Sequence, residues 1–256
     1  MKGWLAAAGT ALILLLSAPA FGQSTQQQLP AREENLSEKI INPIAFLMRL
    51  TVENKYSPSL WNSHGEENEV EGTFVVPFEA FAKQNLARIK LFFETSAADG
   101  THGLSEAQIF DLVLSERSWG TLGAGISVQL NAESTKSLGT LAPGPAVGAV
   151  VRHGKWKYGL FNQNFLSDTF AQTDLQPILA YAFDKKWSAE VGDAQYIYDW
   201  KKHHVTSIPL SGRLNRIVSF ENQNIHLFFR AQYDLKNESG SDKWTLAAGF
   251  SLIVQQ

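Results

Sequence analysis

The sequence predicts an all-β protein, a transmembrane antiparallel up-and-down β-barrel of about twelve strands. The first observation behind this prediction is strict alternation, clearest in the two last segments, 225–234 and 244–254, where every second residue is apolar. Side chains of a strand point alternately to opposite faces, so each segment has one apolar face and one small, polar or charged face. Each segment also approaches or exceeds the roughly 9–11 residues that a bilayer-crossing strand needs.

The second observation is an export signal without a later hydrophobic span. Lys2 is followed by the apolar run Trp4 to Leu16, and then by small residues up to Ala20-Phe21-Gly22, which resembles a cleavage site. No other segment is as continuously apolar. An exported chain without a transmembrane helix can still be embedded in a membrane, but only as a closed barrel.

These boundaries predict three parts of the chain. Residues 1–22 are expected to be a cleaved signal peptide, and residues 23–44 a polar periplasmic leader with a short helix that ends before Asn42-Pro43. Residues 45–256 are expected to form the barrel. We therefore predict the outer membrane of a Gram-negative bacterium, with outer-membrane lipid as surroundings and the barrel-insertion machinery and periplasmic chaperones as partners during assembly.

The third observation is a rhythm in the connections between alternating segments. Long polar connections follow the odd-numbered segments, at 57–68, 96–105, 131–144, 167–173, 199–204 and 236–243. Shorter connections follow most even-numbered segments, and tryptophans lie near segment ends. Outer-membrane barrels have short periplasmic turns, longer extracellular loops and aromatic girdles at both interfaces.

The charged residues of the alternating segments are the candidates for the barrel lumen. A charge on the lipid-facing side costs up to about 2–4 kcal/mol near the midplane, so the polar face is expected to point inward. In the fourth segment, we expect Phe110 and Leu112 to face lipid and Asp111 to face the lumen. The predicted lumen residues are Arg49, Glu53, Lys55, Glu69, Glu71, Arg88, Lys90, Glu94, Asp111, Glu190, Arg213, Arg230 and Asp234.

Two interpretations of these lumen charges remain open at this point. They form either a polar pore that selects solutes, or ion pairs that close a narrow lumen, since about twelve strands enclose little space. The first interpretation predicts a passive channel for small solutes. The alternatives are a non-conducting or lipid-hydrolase-like barrel, and a soluble periplasmic β-sandwich built from the same strands.

Other function classes find little support in the sequence. The chain has no cysteine and a net charge of -3, with no phosphate-binding loop, zinc signature or basic patch, so no cofactor, metal or nucleic acid is expected. A hydrolase would need serine, histidine and an acid or amide within hydrogen-bond reach. Only His226 lies on a confidently inward face, and G-x-S-x-G is absent, so the sequence predicts that the protein is not an enzyme.

Several short motifs resemble one family of bacterial outer-membrane barrels. They are Asn42-Pro43-Ile44-Ala45, Ile109-Phe110-Asp111 leading to Trp119-Gly120, Ala142-Pro143-Gly144-Pro145-Ala146, Leu175-Gln176-Pro177 followed by Tyr181, and Ile208-Pro209-Leu210-Ser211-Gly212. The chain from about residue 37 to 254 resembles the transporter-like family labelled "MetA-pathway of phenol degradation", also called neuromedin U-like. The resemblance implies an outer-membrane barrel that passes small molecules, and it implies no particular solute.

Overall fold

A computed structural model describes residues 35–97, 100, 102–131, 139–191, 194–221, 223–236, 238 and 240–254. The predicted signal peptide and most of the predicted leader lie outside these described residues, so their boundaries stay predictions. One short helix, α1 (Leu36–Ile40), precedes the strands. The strands are β1 (Met48–Leu60), β2 (Glu67–Ala80), β3 (Lys83–Ser96), β4 (Gly103–Arg117), β5 (Gly120–Asn131), β6 (Leu141–His153), β7 (Trp156–Leu166), β8 (Ala171–Ala182), β9 (Trp187–Glu190), β10 (Tyr196–Asp199), β11 (His204–Ser207), β12 (Pro209–Phe220), β13 (Gln223–Asp234) and β14 (Asp242–Val254).

These strands form one closed antiparallel barrel. Consecutive strands pair with each other from β1 to β8 and from β12 to β14, and β1 pairs with β14 from Met48 opposite Val254 up to Leu60 opposite Asp242, which closes the sheet. The short strands β9 and β10 both pair with β8 and share one position in the wall, as β11 and β12 do beside them. Within the described part of the chain the barrel therefore has twelve strand positions, which confirms the predicted fold.

The wall is interrupted between β11 and β12, and Asp234 holds this point together. Its carboxylate accepts hydrogen bonds from the Ser207 hydroxyl and from the backbone N–H groups of Ile208 (3.0 Å) and Lys236 (2.8 Å). A buried carboxylate with several donors replaces the ladder bonds that the break removes. Asp234 faces inward as the sequence predicted, but its contacts are with the wall itself.

The outer face of the barrel is a band of apolar side chains, the apolar band. Large apolar side chains such as Leu50, Ile126, Leu160, Phe229 and Phe250 are exposed along the strands. Exposed aromatic side chains mark both ends of this band. Trp119 and Trp156 lie at the short-turn end, and Trp200 and Trp244 lie at the long-loop end. Such a large apolar surface between two girdles of aromatic residues suits lipid rather than water.

Turn chemistry sets the difference between the two ends. Phe81 and Ala82 both adopt positive φ angles (51° and 56°) in the tight turn between β2 and β3, as two-residue hairpin turns of this type require. In the turn after β8, the backbone N–H groups of Lys186 and Trp187 donate to Asp184 and hold the pKa of its carboxyl below the usual range. None of the described helices is long and apolar enough to cross a bilayer.

Strand β4 faces the opposite way from the prediction. Phe110 and Leu112 are buried inside the barrel, whereas Asp111 lies on the exposed outer face. The reason is that both faces of β4 are largely apolar, so alternation alone does not say which face is inside. The inner face packs against Ile44 of the N-terminal segment, which the sequence pattern of the strand itself does not reveal.

A substitution on the outer face tests the assignment of faces. Replacing Phe229 or Leu227 with arginine places a charge in the apolar band. A charge near the membrane midplane should destabilise the folded barrel by about 2–4 kcal/mol. Urea unfolding in lipid vesicles, followed by tryptophan fluorescence, measures the change. Gln232→Arg is the matched control because Gln232 lines an internal cavity from the same strand, and it should change stability by less than about 1 kcal/mol. Equal effects of all three substitutions would contradict the assignment.

Candidate functional site: the barrel lumen

The N-terminal segment 35–46 fills the short-turn half of the lumen. Asn35 caps α1, since its side chain accepts from the Glu38 N–H (3.1 Å) and donates to the Glu38 carboxylate (2.9 Å). Ile40 and Ile41 belong to a buried cluster with Ile217 and Ile253 of the wall. We call this segment the plug.

A second apolar cluster surrounds Ile44, which is fully buried. Wall residues Leu86, Phe110, Leu112 and Phe161 are part of this cluster. A glycine makes room for the plug here, because a Cβ at Gly148 would lie 2.8 Å from the Phe161 ring and 3.5 Å from Ile44. The apolar lumen wall therefore matches the apolar plug.

Polar contacts also tie the plug to the wall. The Ser37 hydroxyl donates to the Asp184 carbonyl (2.5 Å), and Arg49 donates to the carbonyl of Ile40, the last residue of α1 (3.2 Å). Inside the plug, the Ile44 N–H donates to the Asn42 side chain (3.1 Å). A cation at the C-terminus of a helix also complements the unsatisfied carbonyls there.

Above the plug lies a layer of ion pairs from strands on several sides of the barrel, which we call the central belt. Its members are Glu53, Lys55, Glu69, Glu71, Lys90, Glu190, Arg213 and Arg230. Four are acidic and four are basic, so the belt is electrically balanced.

Glu53 is the centre of the belt on one side of the lumen. It is 1% exposed and forms ion pairs with Arg213 (3.2 Å) and Arg230 (2.9 Å), while Arg213 also reaches Glu190 (3.4 Å). Two residues further along β1, Lys55 binds Glu69 and Glu71 (2.8 Å each), and Lys90 binds Glu71 (3.0 Å). Buried charges are tolerated when each has such partners, and removing one partner is costly.

Arg88 lies against the apolar wall that surrounds Ile44. Its guanidinium donates to Gln163 (2.8 Å) and lies over the rings of Phe110 (4.2 Å) and Phe161 (5.6 Å). A cation over an aromatic face is stabilised by the ring quadrupole. A small cavity of about 40 Å³ separates the plug from the belt, enough for ordered water.

On the long-loop side of the belt, the lumen opens into a cavity of about 180 Å³, which we call the vestibule. Its charged lining consists of Lys55 and Arg230 near the belt and of Glu67, Glu69, Glu94 and Asp242. Acidic groups therefore outnumber basic ones. The belt and the plug together separate the vestibule from the short-turn end.

A serine, a histidine and an asparagine come together on the inner wall near the plug. His226 Nδ1 lies 3.2 Å from the Ser251 hydroxyl, and its Nε2 lies 2.9 Å from Asn215 Oδ1. Because an amide oxygen only accepts, Nε2 carries the proton and Nδ1 is left to accept from Ser251. Thr51 continues this row, 2.8 Å from Ser251.

With one exception, the predicted lumen residues lie on inward faces of the barrel. Arg49, Glu53, Lys55, Glu69, Glu71, Arg88, Lys90, Glu94, Glu190, Arg213, Arg230 and Asp234 lie on inward faces, and most meet in the belt or the vestibule. Asp111 does not, because its strand faces the other way. Their role in selecting solutes stays a prediction.

Sequence reasoning missed several inward residues. Glu106 accepts from Gln108 (2.7 Å) and Gln129 (2.9 Å), and the reversed assignment of β4 concealed it. Asp174 is 2% exposed, and the outward Leu175 next to it would have been enough to predict its inward direction. Among the described residues, no group of three or more His, Cys, Asp or Glu side chains is arranged to hold a metal ion.

No protein-family model and no curated protein sequence matches the chain. Among solved structures, an outer membrane channel from Pseudomonas putida F1 is similar, with 14% identity, a TM-score of 0.53, and coverage of 81% of this chain and 96% of that one. Outer membrane phospholipase A of Escherichia coli is similar at 11% identity and a TM-score of 0.47, covering 87% and 99%. The calcium-bound phospholipase dimer of Salmonella typhi gives 9%, 0.45, and 86% and 97%.

At these identities the likeness concerns the fold, an outer-membrane type of barrel, and the specific family label stays a prediction. The prediction that the protein is not an enzyme was wrong as an exclusion. Similar barrels include a phospholipase, which is an enzyme, so this architecture gives no ground for excluding catalysis. The absence of the G-x-S-x-G motif does not exclude catalysis either, because the chain brings Ser251 and His226 together from separate strands.

The belt predicts a large cost for removing its central carboxylate. Glu53→Gln leaves Arg230 without its ion-pair partner in a buried site and should destabilise the barrel by about 3–5 kcal/mol. Denaturant unfolding in vesicles measures this. The double variant Glu53→Leu/Arg230→Leu should recover part of the loss, while Glu94→Gln, which removes no ion pair, should stay within about 0.5 kcal/mol. A neutral effect of Glu53→Gln would contradict the ion-pair arrangement.

Proposed function

We propose that the protein is an outer-membrane channel for passive entry of small polar solutes, held closed in this conformation by its plug. In this proposal the long loops face the outside of a Gram-negative cell and the short turns face the periplasm. The barrel-insertion machinery and periplasmic chaperones would assist its assembly. Similarity in fold to an outer membrane channel is consistent with this proposal, and the argument for it rests on the lumen.

The central belt is the observation that carries the proposal. If the interior of a barrel only stabilises the fold, apolar side chains fill it at least as well as charged ones. Buried ion pairs seldom add more to the free energy of unfolding than a well-packed apolar core does. Here eight charged side chains face the lumen beneath an open polar vestibule. Such opposed rows of charge are the usual lining of a solute path.

The plug is attached in a way that permits movement. Its contacts with the wall include the apolar packing of Ile40, Ile41 and Ile44 and hydrogen bonds through Ser37 and to Arg49. The barrel wall closes through β1 and β14, which follow and do not include the plug. Displacing the plug therefore leaves every ladder bond of the barrel in place.

The test compares a chain whose plug has lost apolar contacts with a chain whose plug is fixed by a disulfide. Ile41→Ser/Ile44→Ser removes apolar contacts and should raise ion conductance in planar bilayers severalfold over the unmodified chain, because the short-turn half of the lumen then opens more often. Since the chain has no cysteine, Ser37→Cys/Asp184→Cys allows a disulfide that fixes the plug where Ser37 meets the turn. Oxidation should lower conductance, and reduction should restore it.

The control is Ile109→Val on the outer face, which should leave conductance unchanged. Heat-modifiability on gels verifies that each variant forms a barrel. If correctly folded, loosened variants insert into bilayers and pass no current, the channel proposal is wrong.

One observation favours a second candidate function, acyl-ester hydrolysis. Asn215, His226 and Ser251 have the order of hydrogen bonds that orients a histidine to deprotonate a serine. In the corresponding reaction, Ser251 Oγ attacks the ester carbon, its proton passes to His226 Nδ1 and then to the leaving alcohol, and water releases the acyl group. The row adjoins the small cavity beside the plug, so a substrate reaches it only when the plug moves.

Covalent labelling distinguishes this candidate. A fluorophosphonate probe should modify Ser251 in the loosened Ile41→Ser/Ile44→Ser chain and fail to modify its Ser251→Ala derivative. Ser127→Ala is the matched control, because Ser127 also faces the lumen but donates only to backbone carbonyls. Absence of labelling in the loosened chain would leave the row as a structural polar network.

A further inference from the structure

We infer that the vestibule is a binding site for a linear amino-carboxylate whose ammonium and carboxylate groups are separated by several methylenes. The inference deepens the proposed channel function, because it names the class of solute that the entrance accepts. It rests on residues of opposite charge that line the same cavity and that each carry a buried polar atom without a partner among the described residues.

The first of these is a buried donor at the vestibule floor. Arg230 is 4% exposed and lines the vestibule, and its Nε has no hydrogen-bond partner among the described residues. Its terminal nitrogen is already engaged by Glu53 (2.9 Å). A buried donor without a partner is costly, and a ligand carboxylate would satisfy it with a charge-assisted bond.

The second is an acceptor farther toward the long loops. Asp242 lines the same cavity beside the hydroxyls of Ser57 and Thr245, and its buried Oδ1 has no partner among the described residues. Glu94 lines the vestibule too, and in the described part of the chain no hydrogen bond or ion pair engages it. These carboxylates form a place for an ammonium group.

Basic side chains of the lining do not neutralise this acidic end. Lys55 is held by Glu69 and Glu71 (2.8 Å each), and Arg230 is held by Glu53. The ion-paired floor is therefore electrically balanced, with Arg230 as a cation, and the excess negative charge lies toward the opening. A solute with a carboxylate at one end and an ammonium at the other is complementary to this polarity.

Strand register sets the length of the solute. Tyr233 of β13 lies opposite Trp244 of β14, Arg230 lies three residues from this pair toward the floor, and Asp242 lies two residues from it toward the loops. At about 3.3 Å per residue, roughly 16 Å of strand separates the two backbones, and both side chains reach into the space between. An α-amino acid, with both charges on one carbon, is too short to engage both ends.

The vestibule volume of about 180 Å³ is enough for a thin, short chain. A ligand of so few atoms binds weakly, and we expect dissociation constants in the range of about 1 mM. Weak binding is also what a channel needs, since the solute must leave again.

The test is calorimetric titration of the full chain in detergent with 6-aminohexanoate. Three matched probes each remove one feature: 6-aminohexanamide lacks the carboxylate, N-acetyl-6-aminohexanoate lacks the ammonium, and glycine lacks the length. We expect 6-aminohexanoate to bind about tenfold or more tightly than each of these.

Variants assign the two ends. Asp242→Asn should abolish the preference over the acetylated probe, and Arg230→Lys should weaken the preference over the amide while keeping a charge beside Glu53. Glu116→Gln is the control, because Glu116 bonds Thr121 near the turn between β4 and β5, at the other end of the barrel (2.8 Å). Circular dichroism and heat-modifiability verify folding of each variant.

Equal binding of the four probes, or binding of none, would overturn the inference and leave the vestibule to water. The outcome is separable from that of the channel proposal, because binding is measured without transport. A chain that binds 6-aminohexanoate selectively but never conducts contradicts only the channel. A chain that conducts without this preference contradicts only the binding site.

Discussion

The structure depends on one constraint: in lipid, each backbone N–H and C=O group must find its partner within the protein. The chain meets it by closing the sheet through β1 and β14, so that the first and last strands are paired with each other. Closure gives every strand one face toward lipid and one toward the lumen. Where the ladder is interrupted, side chains take over, as Asp234 does at the break between β11 and β12.

The same closure creates an interior that has to be filled, and the chain fills it in three layers. The plug buries isoleucines against an apolar wall, the central belt pairs buried charges, and the vestibule holds polar groups around a cavity. The layers differ in how firmly they are held. The belt joins strands that are already fixed by the ladder, whereas the plug lies outside the closing pair of strands. In the channel proposal, the plug is therefore the part that moves.

Much of the candidate site could be predicted because period-two alternation assigns a face directly. Glu53, Arg213 and Arg230 were assigned inward on this basis, and the structure shows them in contact. The method failed at Asp111, because β4 is apolar on both faces and only Ile44, more than sixty residues earlier in the chain, decides which face is inside. The Ser251–His226–Asn215 row was not predicted either, since alternation gives the direction of each side chain but not which strands are neighbours at which height.

The sequence by itself determined the class of fold, most of the inward charges and the long and short ends, because each follows from local periodicity or turn chemistry that one strand or turn carries alone. Only the tertiary structure decided the pairing of the charges, the occupation of the lumen by residues 35–46, and the meeting of Arg230 and Asp242 at one cavity. These depend on register between strands and on closure of the ring. Both are set by the sum of contacts around the whole barrel, which no single segment of the chain specifies.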